Sequence, residues 1–167
     1  MCIFIAVSVA GYLGDATQPF RDRRLKAEAL TGAFAAKLPA GTHLSITDGH
    51  CACSVFPGRP EITAVDPGEE RRRYERKGWS KAKIDRAIES KRAAHARHSR
   101  QPDLSNLFVK AIEHLITSGA TVTLLAHSFS GGFDEPFEIA GVERTPLGAF
   151  LESHGEFSED ALATIVA

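Results

Sequence analysis

The sequence has no long apolar segment. No run approaches the roughly 20 residues that a membrane-spanning helix needs. The apolar stretch IFIAVSVAG near the start is short and follows no basic segment, so it predicts a buried strand rather than a signal peptide. We therefore expect no membrane partner for this chain.

Cysteine is also scarce. The three cysteines, Cys2, Cys51 and Cys53, are an odd number, which argues against the disulfide framework of small secreted proteins. They predict a cytoplasmic protein with reduced thiols. A chain of 167 residues buries a core without such crosslinks, so residues 1–167 are expected to form a single domain.

The chain has almost no net charge, but its charges are unevenly distributed. Residues 69–100, named here the basic arm, hold 12 of the 20 Lys and Arg against 5 acidic residues, or +7. The other residues hold 8 bases against 16 acids, or −8, and the two parts together give the net charge of −1. The sequence therefore predicts a polarised molecule with a basic arm inserted in an acidic body.

Hydrophobic patterns predict the elements that precede the arm. The first strand is expected to be central in its sheet because both of its faces are largely apolar, one of them carrying Ile3, Ile5, Val7 and Val9. The four-residue spacing of Leu30, Phe34 and Leu38 predicts a helix over 21–38. Residues 43–49 and 51–56 are predicted to form a hairpin that turns around Asp48 and Gly49.

The rest of the chain is predicted to be mainly helical. Gly78 divides the basic arm into two helices, the second over 81–98. Asp103 is the expected N-cap of an amphipathic helix that ends at Gly119, and residues 121–128 form a β-branched strand. We further predict a strand in 136–143, a short helix over 146–153 and a final helical turn or two capped by Ser158.

This order of elements predicts an α/β fold of the α+β type. We expect a mixed or antiparallel sheet of four or five strands with helices on one face, in the split β-α-β (ferredoxin-like) arrangement. In that topology the first strand lies between the third and the fourth and is antiparallel to both. The end of the fourth strand then lies against the start of the first.

Ser128 follows His127 at the end of an apolar strand, as in the nucleophile elbow of serine hydrolases. An elbow needs a helix directly after the serine, but two glycines and a proline follow here. A strand that ends in a turn at Gly131 and Gly132 explains the pattern better.

Cys2 offers a different nucleophile. Removal of Met1 would leave Cys2 at the N-terminus, where its own α-amine can act as the base. The first two residues are similar to those of the glutamine amidotransferases of the N-terminal-nucleophile type, which also begin with Met-Cys. Because the predicted topology brings His127 and Ser128 near Cys2, these three residues are our candidate catalytic group.

His50, Cys51 and Cys53 are a candidate metal site. On a strand, the two cysteines share a face with their sulfurs roughly 7 Å apart, too far for a disulfide but within reach of one zinc ion. Zinc needs four ligands, and His95 and His98 are possible additional ones. The alternative is that both cysteines are small core residues. The predicted topology places this pair at the opposite end of the first strand from Cys2.

The basic arm is a candidate binding surface for a nucleic acid or an acidic protein, since cations neutralise phosphates and aromatic rings stack on bases. Its candidate contact residues are Arg71, Arg72, Arg73, Arg76, Lys77, Trp79, Lys81 and Lys83. The alternative is a solvated arm that contacts the acidic body of its own chain or of a second copy in a homodimer. The sequence thus leaves two functional hypotheses, a Cys/His thiol or metal site and a binding arm.

Overall fold

The structure is a computed structural model that describes residues 2–57, 66–98, 103–129 and 136–167, with the backbone alone of 93–98. The described residues have a mixed α/β fold with a six-stranded sheet. The strands are β1 (Cys2–Ala10), β2 (Lys26–Ala29), β3 (Thr42–Thr47), β4 (Thr121–Phe129), β5 (Gly141–Pro146) and β6 (Ala161–Val166). The helices are α1 (Gln18–Arg21), α2 (Pro67–Arg76), α3 (Lys81–His98), α4 (Leu104–Thr117) and α5 (Leu147–Glu152), with a 3-10 turn at Ala35–Lys37.

The strand order β2-β3-β1-β4-β6-β5 contains the predicted arrangement. β1 lies between β3 and β4 and is antiparallel to both, and β2 is antiparallel to β3. β1 and β2 are therefore parallel with β3 between them, which is the split β-α-β pattern. The predicted fold class and the central position of β1 are confirmed.

The sheet has six strands rather than the predicted four or five, and β2 and β6 are the strands that the sequence patterns did not predict. β6 pairs antiparallel with β4, and β5 pairs parallel with β6 at the edge. The prediction of a last helical turn after Ser158 is wrong, because β6 occupies that region. Alternate burial of Ala161, Ala163 and Ile165 is the two-residue period of a strand.

The predicted helix over 21–38 is also wrong. Strand β2 lies inside that range and pairs with β3, and only the short 3-10 turn follows it. The four-residue spacing of Leu30, Phe34 and Leu38 has a different cause, since all three pack against the sheet as part of one apolar cluster. Tertiary packing has overridden the local helical pattern here.

The predicted hairpin is wrong in its second half. Residues 42–47 form β3, but residues 51–57 form turns rather than a strand. The Asp48 side chain accepts hydrogen bonds from the backbone N–H groups of His50 and Cys51. These bonds offer the backbone a local alternative to a strand ladder.

Two apolar clusters cover the two faces of the sheet. On one face, Ile5, Val7 and Val9 pack with buried residues of α1, α4 and α5, including Phe20, Phe108 and Phe150. On the other face, Ala6, Leu125 and Phe129 pack with Phe34 and Leu38. Helices therefore cover one face as predicted, whereas segments with little regular structure cover the second.

The chain divides into two compact units, residues 1–59 with 103–167 and residues 60–102. The second, named here the helical unit, contains the basic arm. Its two helices are separated at Gly78, which has a positive φ of 72°, as predicted for a helix end. Tyr74, Ile84 and Ile88 form its buried cluster, with Trp79 packed against them.

None of the helices in the described ranges is both long and apolar enough to cross a membrane.

Candidate functional site

The pairing of β1 with β4 determines which residues lie beside Cys2. Cys2 lies opposite Phe129, Ile3 opposite Ser128, and Phe4 opposite His127. Residues directly opposite in an antiparallel pair share a face, and successive residues alternate. Cys2 and His127 are therefore diagonal neighbours on one face, whereas Ser128 belongs to the other.

His127 is held by Asp160. Nδ1 of His127 is hydrogen-bonded to Oδ1 of Asp160, and the His127 side chain is only 12% exposed. When the Asp160 oxygen accepts this bond, Nδ1 carries the hydrogen and Nε2 of the neutral imidazole is left as an acceptor. This is the tautomer in which a histidine can take a proton from a nucleophile.

The backbone around Asp160 positions its carboxylate. Asp160 has a positive φ of 59°, a conformation that aspartate tolerates better than most residues. Its N–H donates to the carbonyl oxygen of Ala126 at 2.8 Å, and its own carbonyl accepts from the N–H of Ala140 at 2.7 Å. Asp160 is therefore fixed against the end of β4, next to the residue it orients.

Aromatic rings surround the imidazole. The ring of His127 stacks on Phe137 with centroids 4.2 Å apart and meets Phe129 edge-on at 4.6 Å. Phe137 is in turn stacked with Phe34. The ammonium group of Lys37 lies 4.7 Å from the centroid of the Phe137 ring. These contacts limit rotation of the imidazole and give its surroundings an apolar surface.

Ser128 has a separate partner. Its hydroxyl donates to the Glu159 carboxylate at 2.6 Å, on the face away from His127. The contacts of Ser128 therefore do not resemble those of an activated serine, which donates to a histidine. The turn predicted at Gly131 and Gly132 lies outside the described residues.

Residues 48–54, named here the Asp48 loop, hold the other two thiols. Asp48 accepts from the N–H groups of His50 at 2.8 Å and Cys51 at 3.0 Å, and from the Ser54 hydroxyl at 2.6 Å. Burial raises the pKa of Asp48, but the hydrogen bonds from Ser54, His50 and Cys51 outweigh it and hold the pKa below its usual value. An ionised carboxylate therefore organises this loop.

The position of the Asp48 loop differs from the prediction. The N–H of Ile3 donates to the sulfur of Cys53 at 3.3 Å, so the loop lies at the same end of β1 as Cys2 and not at the opposite end. The reason is the strand assignment, because residues 42–47 are the third strand of the sheet rather than the second. Their C-terminal end therefore lies beside the start of β1.

Cys51 and Cys53 contact each other. The N–H of Cys53 donates to the Cys51 sulfur at 3.4 Å. Burial raises the pKa of the Cys51 thiol, and hydrogen bonding to the Cys53 sulfur and the charge of Asp48 raise it further, against the opposing effect of the Cys53 backbone N–H. Cys51 is accordingly in its thiol form at neutral pH.

No group of three or more His, Cys, Asp or Glu side chains within the described residues could hold a metal ion. His50 is exposed, while Cys51 and Cys53 are half-buried. The side chains of His95 and His98 lie outside those described. The described arrangement thus gives no support to the zinc hypothesis.

Several basic residues of the arm pair within the helical unit. Arg71 contacts Asp85 at 2.5 Å, and Glu70 binds both Lys91 at 2.7 Å and Arg73 at 3.7 Å. Hydrogen bonding to Lys91 is the main cause that lowers the pKa of Glu70, and the same bond raises the pKa of Lys91. These pairs reduce the charge that the arm presents to a polyanion.

The aromatic residues of the arm also have internal contacts. Trp79 stacks on Tyr74 with centroids 4.5 Å apart and planes at 9°, and the ammonium group of Lys83 lies 4.1 Å from the Trp79 ring centroid. Arg72 and Arg76 line a shallow groove together with Glu69 and Glu75. Lys77 and Lys81 are exposed. Trp79 therefore packs against the core of the helical unit.

The sequence interpretation did not identify Asp160, Glu159 or Asp48 as site residues. The pair Glu159-Asp160 directly precedes the alternating pattern of β6, but the sequence pattern predicts a helical turn in this region.

No protein-family model, curated protein or solved structure matches this chain significantly.

Proposed function

We propose that this protein is a thiol-dependent acyl-transfer enzyme, with Cys2 as nucleophile, His127 as base and Asp160 as the residue that orients His127. The observation that carries the proposal is the hydrogen bond between His127 and Asp160, on the sheet face to which Cys2 also belongs. A nucleophile, a base and an orienting acid are the parts that nucleophilic catalysis requires.

The register of β1 against β4 supports this assignment. Diagonal neighbours on one face of an antiparallel pair lie about 7–8 Å apart at their backbones, within reach of longer side chains. Cys2 is exposed, so a substrate reaches its sulfur from solvent. His127 as base makes the reaction independent of the α-amine of Cys2.

The proposed reaction has two stages. The Cys2 thiol transfers its proton to Nε2 of His127, and the thiolate adds to the carbonyl carbon of an ester or amide. The leaving group takes the proton from His127 and departs, which leaves a thioester on Cys2. A water molecule, deprotonated by His127, then adds to the thioester, and the carboxylic acid is released as the thiol re-forms.

The test uses p-nitrophenyl acetate and follows both nitrophenolate release and the acetylated residue by peptide mass mapping. We expect a burst with the acetyl group on Cys2, and none with Cys2→Ser. Removal of a general base costs about 10²–10⁴-fold in rate, so His127→Ala is expected to slow acetylation of Cys2 by that factor. Asp160→Asn is expected to slow it as well.

His114→Ala is the matched control, because His114 is an exposed histidine near the end of α4. It is expected to leave the acetylation rate unchanged. The proposal fails if Cys2 is not acetylated in the unmodified protein. It also fails if His127→Ala, shown to be folded by circular dichroism, acetylates at the unmodified rate.

A further inference from the structure

We propose that Cys51 and Cys53 form a redox dithiol site that reacts with small disulfides by thiol–disulfide exchange. This site is distinct from Cys2 and does not depend on the proposed acyl transfer. The hypotheses drawn from the sequence had excluded a bond between these two residues, because a strand keeps their sulfurs apart.

The turn in the Asp48 loop changes that geometry. The chain bends at Ala52 and continues into a turn through Cys53, Ser54 and Val55. Consecutive Cα atoms are about 3.8 Å apart, so a bend between Cys51 and Cys53 brings their Cα atoms well below the roughly 7.6 Å of a straight path. A disulfide spans Cα atoms about 4.4–6.8 Å apart, a range that a bent path between these two residues allows.

The hydrogen bonds around the sulfurs assign their roles. Cys53 accepts the N–H of Ile3, a donor that stabilises a thiolate. Burial is the main cause that raises the pKa of the Cys51 thiol, against the opposing effect of the Cys53 N–H that its sulfur accepts. Cys53 is therefore the attacking sulfur, and Cys51 is the resolving thiol that holds the proton.

The exchange balances in two steps. The Cys53 thiolate attacks one sulfur of a disulfide RSSR, forms a mixed disulfide and releases RS⁻. Cys51 then loses its proton to RS⁻ or solvent, and its thiolate attacks the Cys53 sulfur, which expels the second RS⁻. The second RS⁻ takes up from solvent the proton that Cys53 had released on ionising. The products are therefore the Cys51–Cys53 disulfide and two molecules of RSH, so the small disulfide is reduced and the protein is oxidised.

The experiment treats the native, full-length protein with glutathione disulfide, quenches with acid and maps the thiols by mass spectrometry. We expect the unmodified chain to lose two hydrogens, with Cys51 and Cys53 linked. Cys2→Ser removes the exposed thiol and is expected to give the same link. Cys51→Ser is expected to accumulate a glutathione adduct on Cys53, and Cys53→Ser to form neither product in this loop.

The thiol map of the unmodified chain tests the proposal even if a variant of the Asp48 loop does not fold. A Cys2–Cys53 link as the main product would overturn the assignment of Cys51 as the resolving thiol. Stable glutathione adducts on Cys51 and Cys53 without a link between them, or two unreacted thiols in this loop, would overturn the proposal. None of these outcomes depends on acetylation of Cys2.

Discussion

At the scale of single residues, aspartate side chains fix the backbone at the places where the chain changes direction. Asp48 binds two N–H groups of its loop, Asp103 binds an N–H at the start of α4, and Asp160 binds His127. At Asp48 and Asp103 the hydrogen-bond donors outweigh the effect of burial and hold the pKa of the carboxyl below its usual value. The candidate site therefore depends on residues that are not themselves nucleophiles.

Removal of the Asp48 carboxylate is expected to destabilise the unit formed by residues 1–59 and 103–167. Asp48→Ala leaves three donors of the loop without their acceptor, and we expect a loss of about 1–2 kcal/mol in the free energy of unfolding at pH 7. Urea denaturation followed by circular dichroism measures it. Asp48→Asn keeps one acceptor oxygen and is expected to lose less; an equal loss in both variants would contradict this account.

The same substitution predicts a pH dependence. The pKa of Asp48 is lower in the folded protein than its unfolded value of about 3.9. Its stabilising contribution is therefore complete above about pH 4 and disappears as the pH falls through the lower, folded value. The stability difference between the unmodified chain and Asp48→Asn is expected to shrink below about pH 4. If this stability difference grew below about pH 4, folding would not lower the pKa of Asp48 and the account would be contradicted.

Asp103 is expected to contribute as an N-cap. Its carboxylate accepts from the N–H of Asn106 at 3.1 Å and from the Ser105 hydroxyl at 2.7 Å. Asp103→Ala is expected to cost about 1 kcal/mol of stability, measured by thermal or urea unfolding. Asp103→Ser retains a capping oxygen and serves as the matched control. If serine and alanine destabilise equally, the cap is not the cause.

At the scale of elements, the helical unit has a small core of its own. Tyr74, Ile84 and Ile88 are its buried apolar residues, and the single tryptophan of the chain packs against them. Fluorescence of Trp79 therefore reports on this unit, whereas the far-ultraviolet circular dichroism reports on the whole molecule. Fluorescence therefore follows the helical unit by itself, and its transition can be compared with that of the whole molecule.

Ile84→Ala is expected to lower the denaturant midpoint of the Trp79 fluorescence transition. Ile84 is only 1% exposed, and truncation of a buried isoleucine costs about 2–5 kcal/mol, with the lower end expected in so small a cluster. Arg86→Ala, at an exposed position of α3, is the control. An unchanged fluorescence midpoint in Ile84→Ala would mean that this cluster does not stabilise the unit.

A helix or strand was predicted correctly where residues within that element determine its conformation. α4 was predicted correctly because Asp103 supplies a cap and the helix carries a complete apolar stripe. β2 has only four residues, two of them charged and paired as Lys26 with Glu28, so its pairing partner rather than its sequence makes it a strand. The Asp48 loop resembles a strand in its apolar content, but side-chain bonds to the backbone decide its form.

At the scale of the whole molecule, the charge asymmetry is the most prominent feature. The basic arm carries +7 and the other residues −8. Ion pairs and ring contacts within the helical unit involve Arg71, Arg73, Lys83 and Lys91. Binding of a nucleic acid or an acidic protein remains a prediction, as does the homodimer, and the exposed arginines are the residues that test it.

The binding hypothesis predicts that Arg72→Glu combined with Arg76→Glu weakens binding to heparin. Each phosphate-like contact that is lost lowers the dependence of affinity on salt concentration, so the slope of the logarithm of affinity against that of salt should become shallower. Lys26→Glu with Lys110→Glu makes the same change in net charge outside the arm and is the matched control. If heparin does not bind the unmodified chain at low salt, the hypothesis fails.

The sequence by itself determined the fold class, the central β1, the helix α4 and the two helices of the arm, because caps, glycines and apolar periods act within a few residues. It also offered Cys2 and His127 as candidate catalytic residues, and their role stays a prediction. Only the tertiary structure placed Asp160 against His127, since their positions are 33 residues apart and β6 brings them together. It also moved Cys53 to the start of β1, because long-range strand pairing decides which loops meet at one end of a sheet.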